Sequence, residues 1–144
     1  MNPLVVKDWV AFIMSSIVVL FVLVYVLHVP QLISGNSALV HEYYFKNFHI
    51  HIPLDVILLF FYLQFSLALI HLCKVQQEVY KILMVAFGTI LLSGAFCLYF
   101  LSQPKSSSFF SRWFHSVTYR AILYDVILLV FTYIIFRFLQ NKIK

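Results

Sequence analysis

Four long apolar runs dominate the sequence, at residues 9–28, 53–73, 82–101 and 121–139. The third run contains no charged residue, and the second contains only Asp55. An α-helix needs about 20 apolar residues to cross the hydrocarbon core of a bilayer, and it satisfies its own backbone hydrogen bonds there. The runs therefore predict an all-α, integral membrane four-helix bundle. It forms a single transmembrane domain over residues 1–144, with outer loops at 29–52 and 102–120.

The composition separates this chain from soluble proteins. Hydrophobic residues make up 63% of the chain and charged residues 10%, whereas a soluble domain has about 45–50% and about 25%. The sequence contains no nucleophile–base pair, phosphate-binding loop or CxxC motif, and its apolar runs carry few polar groups. We therefore expect a multi-pass membrane protein that is not an enzyme.

The basic residues favour one orientation of the four spans. Six basic residues fall on the side that holds both termini: Lys7, Lys74, Lys81, Arg137, Lys142 and Lys144. Four fall on the other side: Lys46, Lys105, Arg112 and Arg120. Because loops on the cytoplasmic side carry an excess of Lys and Arg, we expect both termini on the cytoplasm-like side. The compartment stays open between an organellar, a cellular and a virion membrane.

A five-residue segment, DVILL, occurs twice, at 55–59 and at 125–129. Each copy follows a loop that begins near a proline (Pro30 or Pro104) and becomes aromatic and basic. One interpretation is an internal two-fold repeat of helix hairpins, whose halves would be related by an axis along the membrane normal. The other is chance similarity between two aliphatic helices.

The aspartates of the two DVILL segments are the strongest candidates for a site. Charge within a membrane is costly, so Asp55 and Asp125 could bind a cation, relay protons or contact a partner. A structural interpretation places each at the start of its helix near the membrane surface, where the helix dipole favours an anion. Lys46, Arg112 or Arg120 could then pair with them.

Other residues are candidates for contacts within or between helices. Gln64 lies near the middle of the second run and needs a hydrogen-bond partner, either Thr132 or a neighbouring subunit; it is also a candidate lining residue for an ion path. Small residues at helical spacing allow close helix packing in lipid. They are Ala11 and Ser15 in the first run, and Gly88, Thr89, Ser93, Gly94 and Cys97 in the third.

Aromatic and basic side chains flank the runs and suggest anchoring at the membrane surface. The predicted anchors are Trp9, Tyr43, Tyr44, Arg112, Trp113 and Arg120. The segment 106–119 has aromatic residues at helical spacing, which predicts a short interfacial helix. The segment 48–52, FHIHI, alternates instead and predicts an extended chain up to Pro53.

Histidines in the first outer loop raise the question of a metal. His41, His49 and His51 could supply zinc or copper ligands, but no cysteine joins them and their spacing fits no established motif. His28 and His71 are predicted at opposite membrane surfaces, so they cannot ligate one haem. We expect no metal and no other cofactor.

Two functions remain open. The first is a structural or accessory subunit of a larger membrane-embedded assembly, whose partners are lipid and other membrane-protein subunits or further copies of the chain, and not nucleic acid. The second is a small ion or proton channel or carrier that uses Asp55 and Asp125. A transporter should place both aspartates in a common water-filled cavity, whereas an accessory subunit should lack a polar cavity.

Overall fold

The computed structural model describes residues 6–143, and the side chains of residues 8–142. Over this range the chain forms helices, turns and bends, and no strand. The α-helices are α1 (Val6–Leu20), α2 (Val29–Ser34), α3 (Ser37–Val40), α4 (Phe48–Leu72), α5 (Glu78–Ser102), α6 (Phe109–Val117) and α7 (Arg120–Ile143). A π-helical turn (Phe21–Val26) continues α1, and a second one (His41–Lys46) follows α3. The side chain of Lys7, and Lys144, lie outside the described residues.

Four of these helical segments are long and apolar enough to cross a membrane: Asp8–Val26, Phe48–Leu72, Glu78–Ser102 and Arg120–Lys142. This confirms the predicted all-helical class and the number of long apolar helices. The first segment ends where His28 adopts a left-handed backbone with φ of 54°, and α2 then begins with a proline in its first turn. Proline suits a helix start because its missing N–H would be unpaired there.

The long helices pack side by side. α7 contacts both α1 and α5, α4 packs against α5, and α1 also touches α4. Their shared core contains fully buried aliphatic side chains, among them Leu20, Val24, Val85 and Leu129. Burial of this apolar surface stabilises the arrangement by about 25 cal/mol per Å² wherever the alternative is water.

Most of the small residues that were predicted to allow close helix packing are buried. Ala11, Ser15, Thr89 and Ser93 have no exposed surface, and Cys97 is 5% exposed. Gly88 is the tightest position, because a Cβ added there would lie 2.6 Å from the Ser66 Oγ on α4.

Gly94 differs from the rest of its predicted stripe, since an added Cβ would meet nothing within 4 Å. We infer that Gly94 takes no part in this packing.

The prediction that segment 48–52 is extended is wrong. α4 begins at Phe48, five positions before Pro53, and the Asn47 carbonyl accepts hydrogen bonds from the backbone N–H groups of Ile50 and His51. Helical hydrogen bonding therefore prevails over the alternating apolar pattern. As a result, Asp55 lies two turns inside the helix.

Candidate functional site

A cavity of about 190 Å³ lies among α4, α5, α6, α7 and the end of the first outer loop. Both Asp55 and Asp125 line it. Aromatic side chains supply most of the remaining wall: Tyr43, Tyr44, Tyr62, Phe96, Phe100, Phe109, Phe110, Trp113, Phe114 and Tyr124. The structure thus brings the two predicted aspartates to one largely apolar cavity.

The repeated DVILL segments contribute to this cavity in the same way. In a helix, positions i, i+3 and i+4 lie on one face, so the aspartate and both leucines of each copy point together. All six residues line the cavity: Asp55, Leu58, Leu59, Asp125, Leu128 and Leu129. The repeat therefore corresponds to two equivalent helix faces, whether or not the halves share an origin.

Asp55 is 8% exposed and is held by tyrosine hydroxyls. Tyr43 donates a hydrogen bond to its Oδ1, and the Tyr44 hydroxyl donates to its Oδ2 over 2.7 Å. The Tyr44 and Tyr124 hydroxyls are also 2.7 Å apart. Because a tyrosine has one hydroxyl proton, and Tyr44 gives its own to the carboxylate, Tyr124 must donate to Tyr44. The result is a buried chain from Tyr124 through Tyr44 to Asp55.

Asp125 has a different environment from Asp55. It is half-buried, and the Ser93 hydroxyl of α5 donates to its Oδ2 over 2.6 Å. Its Oδ1 accepts no hydrogen bond from any residue that the structure describes. Asp125 therefore retains an acceptor at the cavity that Asp55 does not.

The interpretation of the aspartates as exposed helix starts is wrong. Asp55 is the eighth residue of α4 and Asp125 the sixth of α7, and neither forms an ion pair with any described residue. Arg112 pairs with Glu42 instead, through two hydrogen bonds of 2.7 and 2.6 Å. Because the Arg112 guanidinium bonds both carboxylate oxygens of Glu42, it does not form the pair with Asp55 that one interpretation of the sequence expected.

Three predicted surface anchors also point inward. Tyr43 and Tyr44 are each 4% exposed, and Trp113 is half-buried on the cavity wall.

Burial raises the pKa of the Tyr44 phenol well above its ordinary value, and the nearby Asp55 carboxylate raises it further. Tyr44 therefore stays protonated and remains a hydrogen-bond donor.

The other anchors keep some exposure. Trp9 is 41% exposed and stacks on Phe60 with ring centroids 5.1 Å apart, and Arg120 is half-exposed. Their contact with a membrane surface stays a prediction.

Gln64 lies apart from the site. Its side chain is half-buried, does not line the cavity and makes no hydrogen bond to a described residue. The expected pairing with Thr132 is wrong, because the Thr132 Oγ1 is buried without a partner among the described residues. The structure therefore brings together two of the three polar candidates.

The histidines are likewise dispersed. Within the described residues no three His, Cys, Asp or Glu side chains come together as a metal site. His41 stacks on Phe45, whereas His51 stacks on Tyr43 and its Nδ1 lies 3.0 Å from the Tyr43 carbonyl oxygen. His49 is exposed and two residues from His51, so the helix directs their side chains to different faces.

The sequence interpretation missed several wall residues. Tyr62 follows Asp55 by seven positions, two helical turns on the same face, and Tyr124 immediately precedes Asp125. The first spacing could have suggested a tyrosine on the same helix face as Asp55. The second gives no such signal, because adjacent residues in a helix do not face each other, and the Tyr124 hydroxyl lies against Tyr44. The Glu42–Arg112 pair offers no such local signal because it joins residues 70 positions apart.

The Glu42–Arg112 pair gives a pH-dependent contribution to stability. The hydrogen bonds from Arg112 hold the pKa of Glu42 below its ordinary value of 4.5, so the stabilisation is present above that value and is lost as the pH falls through the lowered pKa. We expect Glu42→Gln to lower the thermal unfolding temperature modestly at neutral pH, since both side chains are 32% exposed. The difference from the parent should shrink in acid.

The matched experiment measures the unfolding temperature of Arg112→Gln and of the double variant that combines it with Glu42→Gln. Since both single changes remove one contact, their losses should not add. Equal unfolding temperatures of Glu42→Gln and the parent at neutral pH would show that the pair contributes nothing.

No protein-family model, curated protein or solved structure matches this chain.

Proposed function

We propose that the four long helices span a membrane and that the chain is a structural or accessory subunit of a larger membrane-embedded assembly. Large apolar side chains on the outward faces of these helices support the membrane location, because apolar surface of this extent indicates a lipid or protein environment. Examples from each helix are Met14, Ile17, Phe21, Ile57, Phe61, Leu83, Phe87, Leu98, Phe131 and Phe138. The largely apolar wall of the cavity supports the accessory role over transport.

Charged side chains lie at the two ends of the bundle, which also supports helices that cross a bilayer from one surface to the other. At one end, Arg137 lies 3.1 Å from Glu78, which also pairs with Lys81. At the other end, Arg112 pairs with Glu42. Apolar helix surface lies between these ends, as a bilayer requires. We propose that both termini face the cytoplasm-like side, since the basic excess of the sequence lies there.

A small ion or proton channel or carrier is the second candidate. The observation that favours it is the cavity shared by Asp55 and Asp125, which is the placement expected of a transporter. Twelve of the eighteen wall residues carry no side-chain oxygen, so the cavity is not the polar, water-filled path that this function also requires, and the carrier therefore stands second. Buried carboxylates in a membrane protein commonly bind ions or relay protons. Gln64 has no part in this candidate path, because it does not line the cavity.

One set of experiments separates the two functions. The full chain is purified in a mild detergent, co-purifying proteins are identified by mass spectrometry, and proton flux is measured in liposomes with a pH-sensitive dye. An accessory subunit should retain stable partners and show no flux. A carrier should show flux that Asp55→Asn with Asp125→Asn abolishes.

The control variant is Asp8→Asn, which lies outside the cavity and keeps an oxygen to accept the hydrogen bond from Gln140. It should leave both partners and flux unchanged. Recovery of the chain without partners would contradict the accessory role, and flux that survives loss of both aspartates would contradict the carrier role.

A further inference from the structure

Two acidic side chains line the cavity, and none of its described wall residues is basic. Asp55 and Asp125 both line it, and no described Lys or Arg forms an ion pair with either. Carboxylates removed from water need a compensating cation or proton. We propose that the cavity binds a small organic cation, an ammonium group with apolar substituents.

The aromatic wall suits such a ligand. Ten of the eighteen residues that line the cavity are Phe, Tyr or Trp. The faces of aromatic rings carry negative charge density and attract cations, and rings that surround a quaternary ammonium recognise it in this way. The same rings pack against the ligand's alkyl groups. Ring faces and carboxylates together match a cation that is apolar on its outside.

An inorganic cation fits the cavity less well. Calcium and magnesium require about six or more oxygen ligands, from protein or retained water. Twelve of the eighteen wall residues carry no side-chain oxygen, and the tyrosine hydroxyls nearest Asp55 already donate to it. The wall therefore offers little to replace the hydration shell of such an ion. An alkylammonium carries apolar surface, so less of its hydration shell has to be replaced by oxygen ligands.

The volume limits the size of the ligand. A cavity of about 150 Å³ lined by apolar side chains can hold benzene, and this cavity measures about 190 Å³. It therefore accommodates a group of trimethylammonium size with a short substituent. A longer chain would have to extend beyond the cavity.

The two carboxylates have different parts in this binding. Both oxygens of Asp55 accept tyrosine hydrogen bonds, which fix it in the wall. Asp125 has one oxygen on Ser93 and one without a hydrogen bond among the described residues. Asp125 is therefore the residue that we assign to direct contact with the ammonium, while Asp55 adds its charge from behind the tyrosines.

The test compares two probes that differ in charge and share a shape. Choline and its neutral isostere 3,3-dimethylbutan-1-ol are titrated into the full chain in maltoside micelles at neutral pH, and binding is measured by calorimetry. Choline should bind at least about tenfold more tightly, since a buried charge contact contributes on that scale. Equal binding of the two probes, or binding of neither, would overturn the proposal.

Two variants locate the binding within the cavity. Asp125→Asn should weaken choline at least about tenfold, and Trp113→Leu should weaken it about 2-fold to 30-fold through loss of a cation–π contact. Asp8→Asn should change nothing, since Asp8 does not line the cavity. Should Asp125→Asn fail to fold, Trp113→Leu and the probe pair still decide. Unchanged choline binding in a folded cavity variant contradicts the assignment.

The ammonium could belong to a free solute or to a lipid headgroup, and lipid composition distinguishes them. The titration is repeated in nanodiscs of phosphatidylglycerol with increasing phosphatidylcholine. A choline affinity that falls with phosphatidylcholine identifies the lipid headgroup as the competitor, and an unchanged affinity identifies a free organic cation. The inference goes beyond the proposed accessory role and needs no transport, so absent partners or absent flux would leave it standing.

Discussion

Replacing Gly88 by alanine should lower the free energy of unfolding by about 1–3 kcal/mol, the usual cost of an added group in a tightly packed interface. The new Cβ would lie 2.6 Å from the Ser66 Oγ and 3.4 Å from the Ser66 Cα. The Ser66 Cα and Cβ would be at ordinary contact distance, so the overlap is confined to the buried hydroxyl. The hydroxyl must rotate and give up its hydrogen bond to the Val85 carbonyl, or the two helices must separate. Denaturant titration in micelles measures the loss.

Gly94→Ala is the matched control on the same helix. An added Cβ there meets nothing within 4 Å, and alanine has a better helix propensity than glycine by up to about 1 kcal/mol, so this variant should be neutral or more stable. Ser66→Ala should restore part of the stability in the Gly88→Ala background, because it removes the nearest atom. Equal effects at the two glycines would contradict a close approach at Gly88.

Removing one hydroxyl, by Tyr44→Phe, should destabilise the chain by about 1–3 kcal/mol for each buried group left unpaired. The change deprives the Asp55 Oδ2 of its donor and the Tyr124 hydroxyl of its acceptor. Phenylalanine keeps the ring packing, so the loss reports the hydrogen bonds. Thermal unfolding of the purified variant, followed by circular dichroism, checks the result.

Tyr119→Phe is the control for this change, because Tyr119 is 73% exposed and does not line the cavity. It should unfold with the parent. If Tyr44→Phe is as stable as Tyr119→Phe, the buried hydroxyl chain does not contribute to stability, and water or rearranged side chains must satisfy the carboxylate.

The long helices could be predicted because apolar length alone specifies them. Their ends could not. The FHIHI segment alternates like a strand, but hydrogen bonds to the Asn47 carbonyl start α4 at Phe48. The local sequence pattern does not indicate this helix start. The prediction therefore put Asp55 near the membrane surface, whereas it lies two turns into the helix.

The candidate site was predicted only in part, because some of its residues depend on contacts that have no local pattern. DVILL identified Asp55 and Asp125, and helical spacing explains why both copies present equivalent faces. Tyr43 and Tyr44 were interpreted as surface anchors because tyrosine near an apolar run usually has that role. Their true position depends on the turn at His41–Lys46, which folds back onto α4, and that contact has no periodic signature.

The Glu42–Arg112 contact has a consequence for the order of assembly. It joins residues 70 positions apart, whereas α4 and α5 are neighbours along the chain and meet through a short turn. Contacts that close long loops form late, because their entropic cost precedes any gain. We therefore expect the α4–α5 hairpin to form early and the Glu42–Arg112 contact to form after it. Because both side chains are 32% exposed, the contact should also break before the buried helix core in local unfolding. It ties the turn that carries Tyr43 and Tyr44 to the helix that carries Trp113, so its loss would loosen two parts of the cavity wall.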